Sequence, residues 1–142
     1  MSIASIIANR DFTIISCVAS DSVQHAAGLL AEKRIGALPV LEGEKVAGIF
    51  SERDLLYSVA RDGAKVLDRP VGDIMTSPAI TIASDLDVLQ ALSLMTRRRI
   101  RHLPVVDEDR MVGFVSIGDL VKYRMDQVEA EAEQMREYIT TA

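Results

Sequence analysis

Two short stretches of the chain combine residue types suited to holding a polar ligand: Gly48-Ile49-Phe50-Ser51-Glu52-Arg53-Asp54 and Gly113-Phe114-Val115-Ser116-Ile117-Gly118-Asp119. In each, a glycine stands three residues before a serine and an aspartate three residues after it. A glycine late in a strand lets another group come close to the backbone. A helix that starts at the serine presents unpaired N–H groups suited to a phosphate. A carboxylate one turn in can accept bonds from both hydroxyls of a vicinal diol, and the serine hydroxyl can reach a phosphate oxygen. The same spacing also fits a helix-capping box with aspartate in place of the usual glutamate, and Ser84-x-x-Asp87 reads as such a cap with no ligand implied. On one copy alone, capping is the simpler account.

There are two copies. Ile100, Leu103, Pro104, Val105, Gly113, Ser116, Asp119 and Leu120, each lowered by 65, give Ile35, Leu38, Pro39, Val40, Gly48, Ser51, Asp54 and Leu55. A constant offset through proline, glycine, serine and aspartate marks a tandem repeat, because each of those types meets a particular backbone or polar demand. The elements that carry the motif repeat with it. A β-rich run from Phe12 to Val18 ends in Ala19-Ser20-Asp21-Ser22, which can cap a helix with Val23, Ala26, Ala27 and Leu30 on one face; Val88, Ala91, Leu92 and Met95 are its twins. A strand holding Leu-Pro-Val follows, its proline suited to a strand's beginning or an edge. After a turn, a second apolar strand, Val46 to Phe50 or Met111 to Val115, runs into Ser51 or Ser116 and a second helix. Each half thus reads β-α-β-β-α, and Gly63, Pro70, Gly72 and Pro78 punctuate the joint between them.

Two segments lie outside this repeat. Ile3, Ile6 and Ile7 share a face of an N-terminal helix too short to stand unsupported. The last helix continues past its twin through Val121, Met125, Val128, Ala132, Met135 and Ile139, a narrow apolar seam suited either to this chain's own other half or to a second subunit. The expected division is residues 1–68 for the first repeat with its N-terminal segment, 69–125 for the second repeat, and 126–142 for the helical extension.

Composition narrows the function. The chain has 142 residues, 49% of them apolar, and a half of about 65 residues is marginal alone, so the halves are expected to share a core. One cysteine excludes an internal disulfide framework, and Cys17 reads as a small core residue. No apolar run approaches the ~20 residues of a membrane helix, and Met1 leads into no secretory pattern, so the protein is expected in the cytoplasm, away from membranes. A net charge of -5 argues against broad nucleic-acid binding. No nucleophile has an evident base partner and no Cys/His cluster has metal-ligand spacing, so neither catalysis nor a metal or catalytic cofactor is expected.

The paired Arg-Ile-Gly-Ala-Leu-Pro-Val and Arg-Ile-Arg-His-Leu-Pro-Val, with the two Gly-x-x-Ser-x-x-Asp stretches, resemble the CBS domain family over residues from about 10 to 125. The resemblance implies a tandem pair of the stand-alone bacterial type, an α+β fold whose halves are related by a pseudo-twofold, with sheets facing each other and helices outside. It also implies up to two clefts that bind adenine nucleotides such as AMP, ATP or NAD, a regulatory and non-enzymatic role toward an unknown protein, and a homodimer.

With the motif present twice and the family match, the ligand reading of the serine–aspartate pairs is preferred to capping. The expected nucleotide contacts are Ser51, Arg53 and Asp54, their counterparts Ser116 and Asp119, and Arg101 and His102 with Ala37 as the latter's twin. Ile14 and Ile15, or Ala79 and Ile80, would hold the adenine edge through backbone groups. Arg101 and His102 replace Gly36 and Ala37, while Arg53 replaces Gly118, so the clefts are expected to differ toward phosphate. Arg97, Arg98 and Arg99 fit equally a solvated helix end. The alternatives are a structural assembly protein without ligand and a nucleic-acid-binding protein using the Arg97–Arg101 cluster.

Overall fold

A computed structural model of the chain describes residues 1–8 and 14–141. The first half contains β1 (Cys17–Val18), α2 (Val23–Lys33), β2 (Ala37–Glu42), β3 (Lys45–Ser51) and α3 (Glu52–Asp62); α1 (Ile3–Ala8) precedes it. The second contains α4 (Val88–Arg98), β4 (His102–Asp107), β5 (Arg110–Ser116) and α5 (Ile117–Thr141), and two 3-10 turns, Ala64–Asp68 and Val71–Asp73, join the halves.

Strands β2 and β3 pair antiparallel, as do β4 and β5, each with a bulge at the same place, between Val40 and Leu41 or Val105 and Val106. Over its described residues, the expected first strand is shorter than its β-rich composition implied. Of the run from Phe12, Phe12 and Thr13 lie outside the described residues; among its described residues Cys17 and Val18 pair, parallel to Val40 and Leu41. In the second half the equivalent is a single bridge from Ile82 to Val105, with Ile82 N–H donating to the Pro104 carbonyl at 3.1 Å. Both prolines sit third in their strands, inside the ladder rather than at its beginning.

Helix starts follow local chemistry. Ser22 caps α2 by accepting from the His25 N–H at 3.0 Å. Asp87 caps α4 by accepting from the Leu89 N–H at 3.0 Å. Ser84 does not join that cap as its spacing implied: it lies too far before α4, and its N–H and hydroxyl both donate to the Asp107 carboxylate, tying the segment to the end of β4.

Each half has its own apolar cluster. Leu38, Val40 and Phe50 centre one, Met95, Leu103 and Leu120 the other, all essentially inaccessible. Cys17 is buried in the first; burial, with Asp21 adding to it, pushes its thiol up to about 11, so it stays protonated at neutral pH. The N-terminal segment, grouped above with the first repeat, packs instead on the second: Ile3 and Ile6 are buried beside Val88 and Ala91, and the Ile3 N–H donates to the Leu86 carbonyl at 2.9 Å. A helix of six residues gains its stability from such a surface.

The motif glycines have a structural reason different from the one expected. A Cβ on Gly48 would stand 2.7 Å from the Thr76 carbonyl oxygen and 2.8 Å from the Met75 sulfur, and one on Gly113 would stand 2.7 Å from Ile7 Cδ1. The close approach is thus by the chain itself, since Ile49 and Thr76 exchange both backbone hydrogen bonds at 2.9 and 2.8 Å. Gly48→Ala is expected to lower stability by about 1–3 kcal/mol. Gly113→Ala should cost less, because a side-chain tip moves aside more easily than a paired backbone. Urea denaturation of both variants measures the order, and equal costs would contradict it.

Candidate functional site: two clefts shared between the halves

Two clefts open where the halves meet. The first, of about 270 Å³, takes Ser51, Arg53 and Asp54 from the first half, Thr76 and Pro78 from the joint, and Ala79, Ile80, Arg99, Arg101 and His102 from the second. The second, of about 340 Å³, takes Ile14, Ile15, Arg34, Ile35 and Ala37 from the first half and Phe114, Ser116 and Asp119 from the second. Apart from the joint residues, these sets largely superimpose at the repeat offset. Each cleft therefore combines the serine–aspartate box of one half with the loop before the Leu-Pro-Val strand of the other. Gly36, Ala37 and His102 line both clefts.

All twelve residues expected to contact a nucleotide lie at these clefts. The differences between halves do not divide as the repeat alone implied. Because each cleft draws on both halves, Arg53 of one and Arg101 of the other fall in the same cleft, joined by Arg99. Among the described residues, the second cleft has Arg34 as its arginine. Thr76, Glu52, Arg34 and Arg99 also line the clefts and were not in the expected set. Thr76 carries no repeat signal, its twin being Asp11. Arg99 was visible but indistinguishable from a solvated helix end.

Both serine–aspartate pairs form the capping geometry. At α3 the Ser51 N–H and hydroxyl donate to Asp54 Oδ2, each at 2.9 Å, and the Asp54 N–H donates to Ser51 Oγ at 3.2 Å. At α5 the Ser116 N–H donates to Asp119 Oδ2 at 2.8 Å and the Asp119 N–H to Ser116 Oγ at 3.1 Å. Capping and lining coexist: the box fixes each carboxylate at a helix start that forms a cleft wall. Asp54 Oδ1 accepts from the Thr76 hydroxyl at 3.0 Å, so the joint is tied to the same carboxylate.

His102 stacks on Phe114, ring centroids 5.7 Å apart and planes 14° apart, between the two clefts. Burial lowers its pKa below the ordinary 6.5; Asp119 and Glu52 oppose that and Arg101 reinforces it. Below 6.5 the unfolded chain binds this proton more readily than the folded one, so acid shifts the balance toward unfolding. The expected result is a loss of stability as pH falls below about 6.5 that His102→Gln lessens. Thermal denaturation of parent and variant from pH 7.5 to 5 measures it, and parallel curves would contradict it.

The family model for the CBS domain matches residues 6–61 and 71–126. The chain belongs to the CBS domain family, as a tandem pair. Among curated relatives it is similar to the mitochondrial CBS domain-containing protein CBSX3 of Arabidopsis thaliana, 38% identical over 136 residues that cover 92% of this chain and 66% of that protein. Among solved structures it is similar to the CBS domain pair of protein MJ0100 in complex with 5′-methylthioadenosine and S-adenosyl-L-methionine, at 25% identity, TM-score 0.77 and coverage of 89% and 98%. It is also similar to the CBS domain protein PAE2072 of Pyrobaculum aerophilum complexed with AMP, at 28% identity, TM-score 0.74 and coverage of 84% and 89%. Among the described residues, no helix is long and apolar enough to cross a membrane.

Proposed function

We propose that the chain is a cytoplasmic regulatory module, without catalysis of its own, that binds an adenine nucleotide such as AMP, ATP or NAD between its repeats and changes the behaviour of a partner protein. The observation that carries this reading is the gathering of Arg53, Arg99 and Arg101 around the Ser51–Asp54 box in one cleft. Helix N–H groups and arginine forks are suited to phosphate, and an aspartate on a rigid helix start is suited to a ribose diol. The cleft is at the small end of ligand-binding cavities, which suits a mononucleotide. The AMP complex of PAE2072 and the nucleoside complexes of MJ0100 support the same ligand class. A thermal-shift screen of adenine and guanine nucleotides with NAD and S-adenosylmethionine tests it. Stabilisation by an adenine nucleotide is expected. No shift with any of them would favour a purely structural protein in which the boxes only cap helices.

We further propose a homodimer. Leu56 and Tyr57 on α3 are 64 and 63% exposed, and Met125, Met135 and Ile139 along α5 are 58, 61 and 67% exposed. Leu56 and Val121 are repeat twins, and both are exposed, so each helix carries an uncovered apolar residue at that position. Light scattering is expected to give twice the 15.5 kDa of one chain at tens of micromolar, and a monomer mass would refute the assembly.

A further inference from the structure

Helix α5 outlasts the repeat in which it begins. The family model ends at residue 126, and the twin of Gln127 is Asp62, where α3 stops, yet α5 runs on to Thr141. A helical extension of that length has little stability of its own. The described chain gives it nothing to lie on: from Val128 to Thr141 every residue is exposed except the partly buried Ala132. The face that α5 turns to its own core carries buried Leu120 and half-buried Tyr123, whereas Val121, Met125, Val128, Met135 and Ile139 point elsewhere and are exposed. None of the described residues covers the apolar seam.

The charges beside that seam identify its occupant. With Met125, Ala132 and Ile139 at the a positions of a heptad and Val121, Val128 and Met135 at d, Arg124 and Glu131 fall at g, and Lys122, Glu129 and Arg136 at e. In two parallel, in-register helices each g residue meets the e residue of the next heptad on the other helix. Arg124 then faces Glu129 of the second copy, Glu131 faces its Arg136, and the twofold repeats both pairs. Antiparallel pairing along the same seam sets e against e and g against g. It would bring Lys122 to Arg136, Glu129 to Glu129 and Glu131 to Glu131, all like charges, which disfavours it.

We propose that α5 pairs with α5 of a second copy as a parallel, in-register two-stranded coil. The inference rests on the homodimer reading above and deepens it by fixing the face and the orientation. The apolar side chains supply the contact, and the exposed charge pairs contribute little affinity but choose the direction. Parallel helices also set the two Ser116–Asp119 boxes, one at each α5 start, at the same end of the assembly.

Cysteine cross-linking reads the register. In the parallel coil Met135 meets its own counterpart, so Met135→Cys alone should oxidise to a disulfide-linked dimer. Met135 is exposed, so the fold should tolerate the change, and Cys17, buried and protonated, does not compete. In an antiparallel pair Met135 would meet Met125, and a link would need Met125→Cys on the other chain. Arg136→Glu tests the charges. Placed against Glu131, it should weaken dimerisation by about three- to tenfold, and adding Glu131→Arg should restore it. In an antiparallel pair the same Arg136→Glu would face Lys122 and tighten the dimer. Sedimentation equilibrium measures these constants. A dimer that links only Met125→Cys chains to Met135→Cys chains, that tightens with Arg136→Glu, or that forms no link at all would overturn the proposal and leave a homodimer joined in another way. A monomeric parent would fail the homodimer reading and this one with it.

Discussion

Arg101→Ala is expected to weaken AMP binding at the first cleft by roughly 10- to 150-fold, the equivalent of one charge-assisted bond of about 1.5–3 kcal/mol. Arg101 shares that cleft with Arg53 and Arg99, so the phosphate keeps two cationic neighbours after the substitution and the loss should fall short of abolishing binding. Adenosine, which has no phosphate, should bind parent and variant alike. Arg101 is exposed, and its carbonyl accepts from the Ile117 N–H at 2.8 Å, a backbone bond that alanine retains. The fold should therefore persist, as circular dichroism would report. Equal losses for adenosine and AMP would instead assign Arg101 to the cleft's architecture.

Asp54→Asn and Asp119→Asn separate a ribose contact from a cap. Asp54 accepts the Ser51 N–H and hydroxyl through one oxygen and the Thr76 hydroxyl through the other. Asparagine has a single acceptor oxygen, so one of these attachments must go, and stability should fall by about 1–2 kcal/mol. If the aspartates also hold ribose, nucleotide affinity should drop by about 1–3 kcal/mol at the mutated cleft and stay parental at the other. Calorimetric titration of each single variant decides this. Two variants that bind AMP with parental stoichiometry and affinity would leave the boxes as caps alone.

The repeat offset makes much of this architecture legible in the sequence. It placed both boxes at helix starts, paired the Leu-Pro-Val strands with their neighbours, and marked α5 as longer than α3. What it could not convey was assembly between halves. Sequence assigns Arg53 to one repeat and Arg101 to the other, and only the crossing of the halves puts them in one cleft. Thr76 escaped because its role comes from pairing with Ile49 across the joint, a contact with no periodic signature. The glycines were recognised as sites of close approach, but residue type does not say what approaches. At Gly48 it is the joint's own backbone, and at Gly113 a side chain from α1, a segment whose length gave no hint of which half it would cover.

Helix α5 has a mechanical consequence. It begins at the box that walls the second cleft and continues for 25 residues without a break, about 37 Å at 1.5 Å per residue. Its first turn is anchored by buried Leu120, whereas Met135 and Ile139 near its far end are open to solvent. A rod held at one end amplifies rotation: a tilt of about 5° at the base carries the tip through roughly 3 Å. An adjustment at the cleft wall no larger than a side-chain shift would sit on the short arm of a lever, and the other end would report it as a change in where an apolar surface stands.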